Sequence, residues 1–491
     1  MKIPYGVSNF GEIRRGGYFY VDKTPFLPQL EDMGARYLLF LRPRRFGKSL
    51  FVSLLEHYYD LGRTEAFDEL FSGLWIHQNP TPERARYLVL SLDFSQLAAD
   101  GGQEALRRTF FTSIRSRVLD FLITYQARLP HLRRLEERLD TYQEAEALLS
   151  DLMSVVRASG HSMYVLIDEY DNFANRLLAD GSHDLYTALV ERTGFVRSFY
   201  ATLKAGTGTG AVSRMFVTGV SPLLLDDLSS GFNIAAHVSD SPRLNDLAGF
   251  RHADVERAID VLLTDRPELA TLSGLGDRRS LLDVLERYYD GYRFSAKVSE
   301  RVFNADMVLY YLRELDDHST APADMLDYNV RTDYRRLQRI GLITGTAATE
   351  RRTLLESILA EGGIHSELVR QFGVRSLSSQ SQFISLLYYL GMLTLGREPR
   401  DEPPAGPGHR LEIPNRVIRE LQWEHLAFML QDEANLVLDK ADLDVALHAM
   451  AIAGDIAPFL ALFHERVIKA MGLKDLRRFD EKSLKLMLLA F

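Results

Sequence analysis

Residues 42–49 read Arg42-Pro43-Arg44-Arg45-Phe46-Gly47-Lys48-Ser49, a cationic run that ends in a glycine, a lysine and a hydroxyl. Set between a strand and a helix, such a run can cradle a polyphosphate. Backbone N–H groups at a helix N-terminus, and the helix dipole, both favour an anion there. The general pattern is Gly-x-x-x-x-Gly-Lys-Ser/Thr. Gly47 lets the backbone come close to phosphate. Lys48 has the reach for β- and γ-phosphate oxygens, and Ser49 offers a hydroxyl to Mg2+. Arg44, Arg45 and Phe46 complete the expected nucleotide-binding loop. Arg42 stands where the pattern has glycine, and Arg44 and Arg45 read equally well as solvated charges of a basic turn or as ligands for another polyanion.

A second constellation is acidic. Tyr164-Val165-Leu166-Ile167-Asp168-Glu169 is an apolar run closed by two carboxylates, and ligands of parallel sheets collect at the carboxyl ends of strands. Asp168 is expected to hold Mg2+ together with Ser49. Glu169 is expected to polarise the attacking water as general base. A third run, Met215-Phe216-Val217-Thr218-Gly219-Val220-Ser221, brings hydroxyls to where a neighbouring strand could sense the γ-phosphate. Each feature alone has a plain structural alternative: a basic turn, an acidic turn, a strand end. Together they point to a P-loop ATPase. Glu169, Lys48 and Thr218 are its expected catalytic groups, Arg44 to Ser49 its nucleotide ligands, and Ser49 and Asp168 its metal ligands.

Other features carry less. Gly206-Thr207-Gly208-Thr209-Gly210 looks like a phosphate cradle, but it precedes a strand and reads as a flexible loop that could bring Lys204 toward the site. Arg192, Arg197, Arg214 and Arg243 are candidates for a charge-neutralising arginine, which such enzymes often take from a neighbouring subunit; spacing does not choose among them. The 13 histidines show no metal-ligand spacing.

The elements that must position these groups follow from apolar patterning. Tyr37–Leu41, 87–92, 163–167 and 215–217 are short runs apolar on both faces, separated by helical stretches, including a long one at 103–159. That predicts an α/β fold with a parallel sheet covered by helices on both faces. An intervening strand between the two motif strands would make it the additional-strand, catalytic-glutamate type of P-loop NTPase. The ATPase domain is expected at 1–245 and a helical lid without strong strands at 246–375. At 376–422, a helix stopped by Gly391, a strand at 392–395, a Pro/Gly-rich loop at 397–410 and a returning strand at 411–413 predict a winged-helix-like domain. A helical C-terminal region covers 423–491. The chain of 491 residues carries a net charge of −9, with 46% apolar and 25% charged residues and no cysteine. That composition excludes a disulfide framework, a cysteine-ligated zinc site and a thiol nucleophile. It also argues against nucleic-acid binding over the whole surface, so DNA contact would need a local patch, for which Arg416 and Arg419 are thin material. No run approaches the ~18 apolar residues of a membrane span, and a cytoplasmic setting is expected.

Several segments together resemble the bacterial and archaeal AAA-ATPase-like proteins that are often fused to a C-terminal PD-(D/E)XK nuclease-like domain. They are Gly17-Tyr18-Phe19-Tyr20-Val21-Asp22-Lys23-Thr24, the 42–49 loop, Leu166-Ile167-Asp168-Glu169-Tyr170-Asp171, Phe216-Val217-Thr218-Gly219-Val220-Ser221 and Tyr289-Asp290-Gly291-Tyr292-Arg293-Phe294. Leu390-Gly391-Met392-Leu393-Thr394 and Ile413-Pro414-Asn415 extend the resemblance to about residue 425. It implies ATP binding at Lys48, Ser49 and Asp168 with Glu169 as base, and makes Arg42 the family's own version of the loop. The implied cofactors are ATP and Mg2+. The implied role is an ATPase whose nucleotide state moves the following domains and controls DNA, an effector protein or a second copy of the chain. Alternatives are a nucleotide-stabilised DNA- or protein-binding module that barely hydrolyses ATP, and the regulatory part of a PD-(D/E)XK nuclease system with a role in defence. Phe479-Asp480-Glu481-Lys482-Ser483 and the apolar helix after it look like the opening of the nuclease-like domain. The strand with its catalytic acids would lie further on, so nuclease activity is not expected of this chain, whether it is a truncated form or a stand-alone ATPase part.

Overall fold

A computed structural model describes residues 1–97, 101–190, 194–228, 232–271, 277–328, 330–332, 334, 348–374, 379–397, 408–434, 440–465 and 469. The apolar run Tyr37–Leu41 forms β1. It is joined by β2 (Leu88–Asp93), β3 (Met163–Asp168), β4 (Val212–Gly219) and β5 (Ala236–His237) in a sheet of order β2-β3-β4-β1-β5. Every pairing is parallel. β4 therefore lies between the strand that feeds the phosphate loop and the strand that ends in Asp168, as the additional-strand arrangement requires. The register aligns Leu41 with Gly219 and Asp93 with Asp168, so the strands end on one edge of the sheet. β3 is buried along its whole length, because helices cover both faces. The helix Lys48–Tyr59 packs across β2, β3 and β4, while helices Gly102–Tyr125 and Phe195–Gly208 pack on β2 and β4.

Three local readings change. The stretch 103–159 is not one helix but Gly102–Tyr125, Leu132–Glu137 and Ala145–Ala158. It breaks around Pro130, whose ring and missing N–H oppose helix continuation. Gly206 and Gly208 end the helix Phe195–Gly208 rather than forming a loop. Gly206 is there for closeness, since a Cβ on it would sit 2.2 Å from Met153 Sδ on the Ala145–Ala158 helix. β5 is only two residues long, too short to leave a periodicity.

Helices His252–Asp265, Arg278–Tyr289 and Ala305–His318 follow, each with an apolar face turned inward. Further along come helix Ala348–Glu361, β6 (Gly363–Ser366), helix Gln380–Tyr389, β7 (Thr394–Leu395), β8 (His409–Glu412) and helix Arg416–Ala434. β6, β8 and β7 form an antiparallel sheet in that order. The helix–strand–strand order expected for 376–422 is present. The segment 246–375, however, was expected to lack strong strands, and it contributes β6 to this sheet. Gly363-Ile364-His365-Ser366 has one apolar residue, so its strand state comes from pairing with β8 rather than from pattern. The interior of the 397–410 loop and the apolar helix expected at 480–491 lie outside the described residues. Among the described residues no helix is long and apolar enough to cross a membrane.

Candidate functional site

The phosphate loop leaves the buried end of β1 and enters the helix Lys48–Tyr59 through Gly47, which sits at φ 94° as N-cap with no side chain bonding the first turn. A Cβ on Gly47 would meet nothing within 4 Å, so its backbone conformation, not space, calls for glycine. Arg45 is also left-handed, at φ 66°. Alternating backbone of this kind, followed by the uncapped N–H groups of a helix, makes a hollow that suits an anion.

The side chains of the loop mostly hold the loop itself. Arg42 is buried, and its guanidinium donates to Leu41 O (2.9 Å), Ser239 O (2.7 Å), Leu244 O (2.8 Å) and Asn245 O (3.4 Å). It lies 4.3 and 4.0 Å from the ring centroids of Phe40 and Phe294. Burial pushes its pKa down to about 10. Arg44 donates to Asn172 Oδ1 at 2.8 Å, and Arg45 pairs with Asp306 at 2.9 Å. Phe46 is buried edge-on against Tyr292 and Phe294, with centroids 4.8 and 5.5 Å apart. Its carbonyl accepts from Gly249 N at 2.8 Å.

Lys48 is buried, and its Nζ donates to Pro43 O at 3.1 Å and lies 3.8 Å from Glu169 Oε1. Asp168, at the end of β3, is hydrogen-bonded to the Ser49 hydroxyl and accepts from Glu169 N at 3.0 Å. Glu169 stands at φ 51°, a conformation that side chains other than glycine rarely take and that aims its carboxylate away from the strand. Burial, and then the neighbouring Glu169 charge, push the Asp168 carboxyl up to about 7 against the opposing pull of Ser49 and Lys48. A buried carboxylate short of positive charge, beside a hydroxyl, fits a hard cation with oxygen ligands. Among the described residues no cluster of three or more His, Cys, Asp or Glu could hold a metal alone. Mg2+ keeps most of its shell as water and phosphate oxygen, so two protein oxygens are enough to hold it.

Arg44, Arg45, Phe46, Lys48, Ser49 and Glu169 line a cavity of about 420 Å³. Its lining is partly polar, with Ser95, Glu169, Asn172 and Arg176, and partly apolar, with Val7, Val21, Leu247 and Leu309. The N-terminal segment thus returns over the loop, and Lys23, anchored on Asp246 O at 2.7 Å, also lines the cavity. Burial pushes the Lys23 pKa down to about 8. A second, polar cavity of about 700 Å³ shares Ser49, Ser95 and Glu169 with the first and is lined also by Asp168, Glu56, Asp60 and Asp93.

Several sequence candidates fall elsewhere. The Thr218 hydroxyl is fully buried, donates to Phe40 O at 2.8 Å between β4 and β1, and does not line the cavity. The hydroxyl expected to be catalytic holds β4 to β1 here. Ser221 binds Asp171, whose buried carboxylate also accepts from Val220 N and Asn175. Asp171 thereby ties the end of β4 to the turn carrying Glu169. Lys204 donates to Asn233 at 2.6 Å, away from the cavity. Arg214 is engaged by Tyr87 and Glu83 at the opposite end of β4. Arg197 bonds Val190 O at 3.5 Å, Arg243 is exposed, and Arg192 lies outside the described residues. Asn172, Arg176 and Asp306 were missed. Asn172 could have been found as the residue after the quoted Asp168–Asp171 run and Arg176 as one helical turn beyond it, whereas Asp306 is distant in sequence and left no signal.

The loop is also fastened to the second half of the chain. Asp306 N donates to Arg45 O at 3.3 Å. A Cβ on Gly391 would lie 2.8 Å from Pro43 Cβ, so the turn before β7 rests on the loop. Arg293, next to the Phe46-packing rings, donates to Leu395 O and Gly396 O around β7.

Comparison with known proteins agrees with this picture. Residues 4–229 match the family model described as "Predicted AAA-ATPase", as the sequence resemblance implied. A relative from Azotobacter chroococcum mcd 1, described as "Uncharacterized protein in vnfD 5'region", is 26% identical over 479 residues, covering 94% of this chain and 76% of that protein. Solved structures similar to the chain include Cdc6p from Pyrobaculum aerophilum (TM-score 0.29, 13% identity, 83% of this chain and 91% of that one). Another is the Aeropyrum pernix ORC2 protein in its ADPNP–ADP complexes (TM-score 0.34, 10% identity, 83% and 92%). At such scores neither likeness bears on function. Fold, motif and family match together support a P-loop ATPase in general over residues 4–229.

Proposed function

We propose that the chain binds Mg-ATP between the 42–49 loop and the Asp168–Glu169 strand end, hydrolyses it, and uses the nucleotide state to set the arrangement of its second half toward a partner. The carrying observation is the convergence of Lys48, Ser49, Asp168 and Glu169 at one sheet edge with β4 between their strands. The apolar residues of the cavity lining suit a base, and the N–H groups at the start of the helix Lys48–Tyr59 suit the phosphates.

Ser49 and Asp168 would hold Mg2+, which on binding neutralises phosphate charge. Lys48 leaves Pro43 O for the β- and γ-phosphate oxygens. That movement also releases Glu169 from its pairing with Lys48, freeing the carboxylate to accept the proton of the attacking water. A loop displaced by phosphate pulls on Arg45–Asp306, on Phe46 O–Gly249 N and on the ring cluster of Tyr292 and Phe294. Those contacts lead to the small sheet. A protein partner, or a second copy of the chain, suits that surface better than DNA. Arg416 is paired with Glu420 at 2.7 Å and lies over Tyr288, which leaves little free charge for phosphates.

The Lys48–Glu169 pair also supports a second reading, a nucleotide-stabilised binding module that barely turns over. Calorimetry of ATP binding by wild type and Lys48→Ala, with phosphate release by wild type and Glu169→Gln, separates the two. The ATPase reading expects binding lost in Lys48→Ala. In Glu169→Gln it expects binding retained and release slowed by about 10²- to 10⁴-fold. Equal, near-zero release in wild type and Glu169→Gln supports the module. No binding by wild type refutes both.

A further inference from the structure

Among the described residues, the cations around the nucleotide cavity are engaged, with one exception. Lys23 holds Asp246 O, Arg44 holds Asn172, Arg45 holds Asp306, and Lys48 holds Pro43 O. Arg176 lines the same cavity, yet its buried Nε has no hydrogen-bond partner. No salt bridge or ring contact involves its guanidinium among the described residues.

Its position follows from the helix Asn172–Ala179, which starts directly after the Asp168–Glu169 turn. Arg176 is four residues beyond Asn172, so the two share a helix face, and both line the cavity. That face is fixed. Asn172 donates to Ser95 O at 2.7 Å and accepts from Arg44 at 2.8 Å. Ser95 and Glu169 line the same cavity, and Lys48 of the phosphate loop lies 3.8 Å from Glu169. A nucleotide whose terminal phosphate meets Lys48 would bring that phosphate beside Glu169 and toward the helix face carrying Arg176. The terminal N–H groups of the guanidinium are bonded to no described residue, and its planar fork can bind two phosphate oxygens at once.

We propose that Arg176 is the cation, supplied within the same chain, that contacts the terminal phosphate and makes the site prefer a nucleoside triphosphate to a diphosphate. The inference rests on the nucleotide reading above and adds a residue to it. Because Arg176 belongs to the chain that carries Lys48, this contact needs no second subunit.

The test is calorimetry of a non-hydrolysable ATP analogue and of ADP, both with Mg2+, on the full chain as wild type, Arg176→Ala, Arg176→Gln and Arg176→Lys. Removing a charge-assisted contact to phosphate is expected to weaken analogue binding about 10- to 100-fold in Arg176→Ala and Arg176→Gln, leaving ADP affinity unchanged. Arg176→Lys is expected to fall between these and wild type. Arg176→Gln keeps much of the stem, so it carries the test if Arg176→Ala does not fold. An unchanged ratio of analogue to ADP affinity, or an equal loss of both, overturns the inference while wild-type binding leaves the nucleotide reading standing. Failure of wild type to bind either nucleotide overturns the nucleotide reading itself.

Discussion

Replacing Arg42 by glycine, the residue usual at that place in a phosphate loop, tests whether the guanidinium is a ligand or a pin. The structure makes it a pin. Its three short hydrogen bonds go to the carbonyls of Leu41, Ser239 and Leu244, and two aromatic rings flank it. Hydrogen bonds from a charged donor to buried acceptors contribute roughly 2 kcal/mol each, so their loss amounts to about 6 kcal/mol. Against this, burial has pushed the guanidinium down to about 10, a desolvation penalty of roughly 3 kcal/mol that the variant no longer carries. The net expectation for Arg42→Gly or Arg42→Ala is a loss of about 3 kcal/mol of stability, larger if the space left by the side chain stays empty. Arg42→Lys, a point charge with fewer donors, should recover part of it. Urea unfolding, followed by tryptophan fluorescence and by circular dichroism, reads the change. A loss under about 0.5 kcal/mol in Arg42→Gly, the level of an ordinary surface substitution, combined with weaker nucleotide binding, would refute the assignment and make Arg42 a ligand instead.

Asp168 gives a pH dependence. Its folded pKa of about 7 lies above the ordinary carboxylate value. The folded nucleotide-free chain therefore holds a proton there that the unfolded chain releases at lower pH, and this contribution to stability fades as pH rises through about 7. A metal needs the carboxylate. Mg-nucleotide affinity should therefore fall toward a slope of about tenfold per pH unit below 7, while nucleotide without metal shows no such slope. Calorimetry from mildly acid to mildly basic buffer checks this, and Asp168→Asn should abolish the difference. Gly291 stands at φ 105°, where a Cβ would lie 2.0 Å from Pro414 O. Gly291→Ala should destabilise the chain by about 2–3 kcal/mol or more through backbone strain and overlap, and an unfolding midpoint equal to wild type would remove that contact from the account.

The sequence alone determined the chemistry of the phosphate loop, the acidic strand end and the sheet that presents them. Each is local: a five-residue apolar run before a glycine–lysine–serine turn, and an apolar run before two acids. Buried strands and helix starts write themselves into a few consecutive residues. Tertiary structure alone decided what the remaining side chains do. Arg42 and Thr218 looked like neighbours of a nucleotide and proved to be bonded inside the protein, because their partners at Ser239, Leu244 and Phe40 lie on other strands and turns. Asp306 and β6 are distant in sequence from the groups they meet, and contacts between distant segments leave no periodicity. Arg176 gained its meaning only when folding carried the other cations of the cavity to acceptors and left its own Nε facing none.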